Sequence, residues 1–140
     1  MRSFLITILS LVTAAANGTV GTTVTTDAEW RQKIIGTWVP DPSDRNARPG
    51  IGTYLGDGAL IFDAYETKKC EKRKWRAIAQ WRIVNGRLLI KVESVNGNPS
   101  SVETNDRIVS ISPKRMVLEN GKGTMQYRIK STKCVPESEI

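Results

Sequence analysis

The sequence contains no histidine among its 140 residues. Histidine is the commonest general base and the commonest zinc ligand, so its absence argues against a Ser-His-Asp arrangement and most zinc sites. No glycine-rich phosphate loop precedes a helix. Asp41 and Asp44 share one loop, but two carboxylates are too few for a calcium site. The sequence therefore predicts a protein that is not an enzyme and has no cofactor or metal.

Long apolar runs are also scarce. The longest covers residues 4–12, follows Arg2 and precedes the small residues Ala14 and Ala15. This order is typical of a secretory signal peptide, which we assign to residues 1–16. A membrane anchor is the alternative, although spanning a bilayer takes about 20 apolar residues. We expect no transmembrane segment after removal of the leader and a secreted or periplasmic location.

The remainder of the chain is long enough for one domain with one core. Residues 17–26 are rich in glycine and threonine, which predicts a flexible arm. Asp27 is the expected N-cap of a short helix that reaches Ile35. We assign residues 27–140 to a single domain.

Acidic residues are outnumbered, with 14 Asp and Glu against 21 Lys and Arg and a formal net charge of +7. A basic balance favours acidic partners such as an anionic lipid, a phosphate or an acidic protein. Aromatic residues make up only 6% of the chain, and none interleave with a basic run, so nucleic acid is not an expected partner. The alternative is that the basic residues only solvate the outer faces of strands.

Most of the chain reads as short strands separated by turns. In residues 73–84 the apolar positions alternate with positions of a different character, which is the period of a strand with unequal faces. Gly56-Asp57-Gly58 and Asn85-Gly86 are hairpin signals. The predicted strands are 36–39, 51–55, 59–65, 73–84, 87–95, 102–112, 115–119 and 124–130. Eight antiparallel strands in sequence order can close into an up-and-down barrel. The fold class is therefore all-β, with a short N-terminal capping helix.

Several motifs carry a resemblance to small secreted or periplasmic lipocalin-like (calycin) domains. They are Gly36-Thr37-Trp38, the Gly-Asp-Gly hairpin, Trp81 leading to Asn85-Gly86-x-Leu88, and Tyr127-Arg128. The resemblance implies that Gly36 and Trp38 open the barrel and that a helical turn caps one end. It also implies that Arg128 packs over Trp38 as a cation–π pair. Because Arg128 alternates with apolar neighbours, it could instead face solvent.

The two cysteines, Cys70 and Cys134, favour a disulfide because their number is even in an exported chain. Strict up-and-down order sends them to opposite ends of the barrel, and residues 131–133 span only about 10 Å when extended. We expect the bond. The alternatives are a miscounted strand, a Cys70 link folded back along the wall, or a reduced pair.

Small side chains in mid-strand leave room for a ligand inside the barrel. The predicted pocket is lined by Leu60, Phe62, Trp75, Ala77, Ala79, Trp81, Leu88, Ile90, Met125 and Tyr127. Its mouth carries a predicted basic rim of Arg45, Arg48, Lys68, Lys69 and Lys72. We expect a binding protein for a small apolar or amphiphilic, possibly anionic, ligand. The alternatives are a solid barrel with a solvated rim, and an interaction module or inhibitor that binds an acidic protein through its basic loops.

Overall fold

The computed structural model of the protein describes residues 25–134. The predicted leader at 1–16 and most of the predicted arm at 17–26 lie outside these residues, so both stay predictions. The described chain forms one helix and nine strands, which are α1 Asp27–Ile34, β1 Gly36–Pro40, β2 Gly50–Tyr54, β3 Ala59–Tyr65, β4 Arg73–Val84, β5 Arg87–Val95, β6 Asn98–Pro99, β7 Glu103–Ile111, β8 Arg115–Glu119 and β9 Met125–Lys130.

Eight of these strands form a closed antiparallel barrel. The order around the sheet is β4-β3-β2-β1-β9-β8-β7-β5, and pairing of β4 with β5 closes it. The ninth strand, β6, has two residues and pairs only with the end of β5. The predicted all-β, up-and-down, eight-stranded barrel with one short helix is confirmed. Closure matters because it leaves no long unpaired edge for another chain to extend.

The short helix α1 closes one end of the barrel, which we call the closed end. Its N-cap is Thr26 and not the predicted Asp27, since the Thr26 hydroxyl accepts from the Glu29 amide at 3.2 Å. Asp27 instead accepts from the amides of Asn85 and Gly86 at 2.7 and 2.8 Å. The Asp27 carboxylate thereby ties the helix to the β4–β5 turn.

The hydrophobic core fills the closed half of the barrel. Alternate residues of each strand point inward, so cross-strand neighbours meet on one face. The largest side chains with no more than 2% of their surface exposed to solvent are Ile34, Trp38, Val39, Ile83, Leu88, Met116 and Leu118. All of them except Val39 belong to one contiguous cluster, together with Tyr54, Leu60, Ala79, Trp81, Ile108 and Ile111.

The links β1–β2, β3–β4, β5–β7 and β8–β9 lie at the other end, which we call the open end. Cys70 in the β3–β4 link is bonded to Cys134, with their Cα atoms 5.8 Å apart. The expected disulfide is therefore present, and no strand of the barrel was miscounted. Strand order alone would place the two cysteines at opposite ends of the barrel, and the course of the C-terminal tail explains how they meet. It leaves β9 beside Thr37, where the Ser131 amide donates to the Thr37 carbonyl at 3.1 Å. It then returns toward the open end, where the disulfide sulfur of Cys134 lies 3.9 Å from the Gly50 carbonyl oxygen.

Candidate functional site

A pocket of about 610 Å³ opens at the open end of the barrel. Three of the four open-end links contribute to its wall, and strands β1, β3, β4 and β9 supply the rest. The links contribute Asp44, Asn46, Ala47, Arg48, Pro49, Glu66, Asn120 and Thr124. The pocket therefore lies where alternating strand direction places the longest connections, and a ligand can enter it without crossing the core.

An apolar wall is formed by Phe62 and Ala64 of β3 and Trp75 of β4. The register places Ala64 directly opposite Trp75, and the Phe62 and Trp75 rings have centroids 5.6 Å apart. The Phe62 ring fits because β2 has no side chain at Gly50, where a Cβ atom would collide with that ring. The small residues on this side therefore leave space that aromatic rings only partly fill.

Below this wall the barrel is solid. Of the predicted pocket residues, Phe62, Trp75, Met125 and Tyr127 line the pocket. Leu60, Ala79, Trp81 and Leu88 belong to the core, and Ile90 packs against it. Ala77 is buried, but it belongs neither to the wall of the pocket nor to the core cluster. The cavity and the solid barrel, which the sequence left as alternatives, each occupy one half of the molecule.

Strand β9 has a polar inner face. Gln126 and Arg128 stand opposite Leu118 and Met116, both in the core, so these polar residues point inward. Met125, Tyr127 and Ile129 occupy the opposite register, although the first two still contribute atoms to the pocket wall. The sequence pattern had been interpreted with the apolar set inside. Polar side chains thus enter the interior on this strand.

The cation over Trp38 is Lys130 and not Arg128. The Lys130 ammonium lies 5.4 Å from the ring centroid of Trp38, and the two residues are register partners. The predicted Trp38–Arg128 pair is therefore wrong, and the cation comes from the next inward-facing residue of β9, two positions further along the chain. Gly36, as expected, permits the entry into β1, since its φ is +131° and the Lys130 side chain occupies the place where a Cβ atom would lie.

Arg128 is instead a polar group of the pocket. One terminal nitrogen donates to the Gln126 side-chain oxygen at 3.3 Å. Its Nε is buried and has no hydrogen-bond partner within residues 25–134. Buried donors are normally paired, because an unmade hydrogen bond costs free energy of desolvation. Arg128 therefore brings an unsatisfied donor and a positive charge to the wall of the pocket.

Two further polar groups of the interior respond to the Arg128 charge. Asp106 of β7 stands opposite the fully buried Leu88. Burial raises the pKa of the Asp106 carboxyl, while the positive charges of Arg128 and Arg87 act against that rise. Burial also raises the pKa of the Tyr54 phenol, and Arg128 again opposes the shift. The interior near Arg128 is therefore poorly solvated.

Only part of the predicted basic rim borders the pocket. Arg48 lines it, and so does Lys74, which is not one of the predicted rim residues. Lys68 lies near Cys134 in a smaller adjoining depression. Arg45, Lys69 and Lys72 are exposed and line neither. Asp44 and Glu66 also border the pocket, so its charge is mixed.

The loop at residues 41–49 is anchored to β9 on the outer side of the barrel. The Asp41 amide donates to the Tyr127 carbonyl at 2.9 Å, and the Tyr127 amide donates to the Asp44 carboxylate at 3.2 Å. The Asp41 carboxylate accepts from the Ser43 hydroxyl at 2.7 Å and lies 3.7 Å from the Arg115 guanidinium. Both acidic side chains therefore hold the loop in place beside the pocket.

Within residues 25–134 no cluster of acidic, cysteine or histidine side chains has the arrangement of a metal site. The same part of the chain has no helix of the length and apolarity needed to cross a membrane. Comparisons of the chain with family models, with curated proteins and with solved structures gave no match. The class of the protein is thus set by its own fold and pocket: a closed eight-stranded antiparallel barrel with one open, partly apolar end.

Proposed function

We propose that this chain is an exported, non-enzymatic binding protein of the lipocalin-like type that takes a small amphiphilic molecule into its open-end pocket. The observation that carries the proposal is the pocket itself. Its volume of about 610 Å³ lies in the range of small-molecule sites, about 300–1,000 Å³. An apolar wall with a few basic groups suits a ligand with an apolar tail and a negative head.

Two further features support the lipocalin-like and exported character. Trp38 plugs the closed end beneath a helix and under a basic side chain, here Lys130. The Cys70–Cys134 bond is typical of oxidising compartments. With no histidine in the sequence, we propose binding without a chemical step.

The test is a titration with decanoate, followed by tryptophan fluorescence and checked for stoichiometry by native mass spectrometry. We expect saturable binding of one molecule per chain with a dissociation constant of about 1–100 μM, since the apolar contacts of a ten-carbon chain must first offset the free-energy cost of association. Trp75 lines the pocket, so Trp75→Phe should lose most of the fluorescence change and keep the stoichiometry.

A matched pair of variants locates the site. Ala64 is buried and lines the pocket, so Ala64→Leu should weaken binding at least about tenfold by filling the pocket. Gln80→Leu introduces the same leucine side chain on the exposed face of β4 and should leave binding unchanged. No saturable change with decanoate or decanol would reject the proposal. Capture of an acidic protein by a chain that binds neither molecule would favour the alternative, an interaction module acting through the basic loops.

A further inference from the structure

Arg128 is half-buried, and its buried Nε lacks the hydrogen-bond partner that a buried donor normally has. It stands opposite Met116 and Pro40 in the two flanking ladders, and Met116 is fully buried. Arg128 is the residue of β9 that lines the pocket farthest from its mouth, since the strand runs from the open end at Met125 toward the closed end. A ligand reaching it has therefore passed the apolar wall.

No acidic side chain of residues 25–134 forms an ion pair with Arg128. Asp44 borders the same pocket, but its two oxygens accept from the amides of Asn46 and Tyr127. Asp106 influences Arg128 only through its charge at longer range. The protein therefore leaves a positive charge and a free Nε–H donor at the base of the pocket.

We infer that Arg128 binds the anionic head group of the ligand, so that an alkyl carboxylate enters head first and its chain lies against Phe62 and Trp75. This inference rests on the proposed function. A carboxylate can accept from Nε and from a terminal nitrogen of one guanidinium at the same time, which is the strongest geometry for this pair. The exposed Arg48 and Lys74 at the rim add only a screened, long-range attraction.

The experiment compares decanoate with decanol, which has the same chain and no charge. We expect the wild type to prefer decanoate at least about tenfold, the change expected from one charge-assisted hydrogen-bonded contact. In Arg128→Gln the preference should fall below about threefold, while decanol binds as it does to the wild type. The matched rim variant, Arg48→Gln with Lys74→Gln, should keep the preference.

Salt provides a measurement that needs no variant. A head group at half-buried Arg128, at the base of the pocket, is screened less than one at the exposed rim, so the decanoate preference of the wild type should change less than about twofold between 0.05 and 0.5 M NaCl. Arg128→Lys keeps the charge but loses the planar fork, and should retain only part of the preference.

Three results would overturn the assignment. One is a preference lost in the rim variant and kept in Arg128→Gln, which would place the head group at the mouth. Another is a wild-type preference that disappears at high salt. The third is equal binding of decanol and decanoate by the wild type, which would keep the pocket as an apolar site and remove the anion site. Binding of neither molecule would instead reject the proposed function.

Discussion

Trp38 joins the helix to the barrel by a single side chain. Its ring is fully buried, and its indole N–H donates to the Ile34 carbonyl at 2.7 Å. That bond satisfies a carbonyl at the end of α1, where the last turn of a helix lacks intrahelical donors. Apolar contacts and a hydrogen bond therefore depend on the same residue.

We predict that Trp38→Ala lowers the free energy of unfolding by about 3–5 kcal/mol, the usual cost of emptying a large buried aromatic site. Urea melts followed by circular dichroism would measure the loss. Trp75→Ala is the control, because Trp75 is only partly buried and borders the pocket, so its loss should be clearly smaller. A loss below about 1 kcal/mol for Trp38→Ala would mean that this residue is not the plug of the closed end.

The outer and inner faces of the barrel shift the pKa of an aspartate carboxyl in opposite directions, as Asp63 and Asp106 show. On the outer face, Arg76 donates to both oxygens of Asp63 at 2.7 and 2.9 Å, and this holds the pKa of Asp63 below its ordinary value of 3.8. On the inner face, burial raises the pKa of Asp106 above 3.8. The charged form is therefore favoured in the first case and disfavoured in the second.

The sign of the effect on stability follows from linkage. The depressed pKa of Asp63 contributes stability above pH 3.8, which is lost as the pH falls through the lower folded value. The raised pKa of Asp106 costs stability at neutral pH, and this cost disappears as the pH falls through the higher folded value to 3.8.

We predict that Asp63→Asn lowers and Asp106→Asn raises the urea midpoint at pH 7. The Asp106→Asn difference should vanish once the pH is below 3.8, where the carboxyl is neutral in both states, and the Asp63→Asn difference should shrink as the pH falls below 3.8. Urea melts of the two variants between pH 3 and 7 would measure this. Asp106→Asn that destabilises at pH 7 would mean that the Asp106 charge is needed inside the barrel, as a counter-charge to Arg128.

At the scale of the elements, the strands could be predicted because alternation and turn residues are local signals. The turn Asn85-Gly86 has φ values of 51° and 72°, as a two-residue hairpin requires. A second such turn, Asn96-Gly97, has φ values of 50° and 79° and begins the short β6 hairpin. The strands predicted from the sequence end at 95 and resume at 102, so β6 is not among them, since a strand of two residues leaves no periodic pattern.

The orientation of β9 could not be predicted from alternation alone. Its apolar residues point outward, where Ile129 is paired with Val39, and Val39 is fully buried although it faces away from the core. The loop at 41–49 and the tail lie against this side of the barrel. An apolar face is therefore covered by irregular chain, and no local pattern in the sequence indicates such a cover.

At the scale of the whole molecule, the depth of the pocket depends on how the core packs. Trp81 is drawn down into the closed half, where its indole N–H donates to the Leu55 carbonyl at 3.0 Å and its ring meets Tyr54 edge to face at 5.8 Å. The space beside Ala79 is thereby filled, whereas the space beside Ala64 stays open. The sequence could not tell that Ala79 lies in the core and Ala64 lines the pocket, because this difference depends on where aromatic rings from distant parts of the chain are placed.

The Cys70–Cys134 disulfide links the tail to the open end of the barrel across 64 positions of sequence. Such a bond stabilises mainly by restricting the unfolded chain, by about 4 kcal/mol for a loop of this length. It also keeps Cys134 against Gly50, next to the loop at 41–49 that borders the pocket.

We predict that the double variant Cys70→Ser with Cys134→Ser unfolds about 2–4 kcal/mol more easily. It should keep the circular dichroism spectrum of the barrel, because the eight ladders close without the bond. Alkylation without reductant should leave the intact mass of the wild type unchanged, and alkylation after reduction should add two labels. Labelling of both thiols in the unreduced protein would contradict the bond. A double variant as stable as the wild type would show that the tail holds its position through the contacts of Ser131 and Gly50, with no measurable contribution from the covalent link.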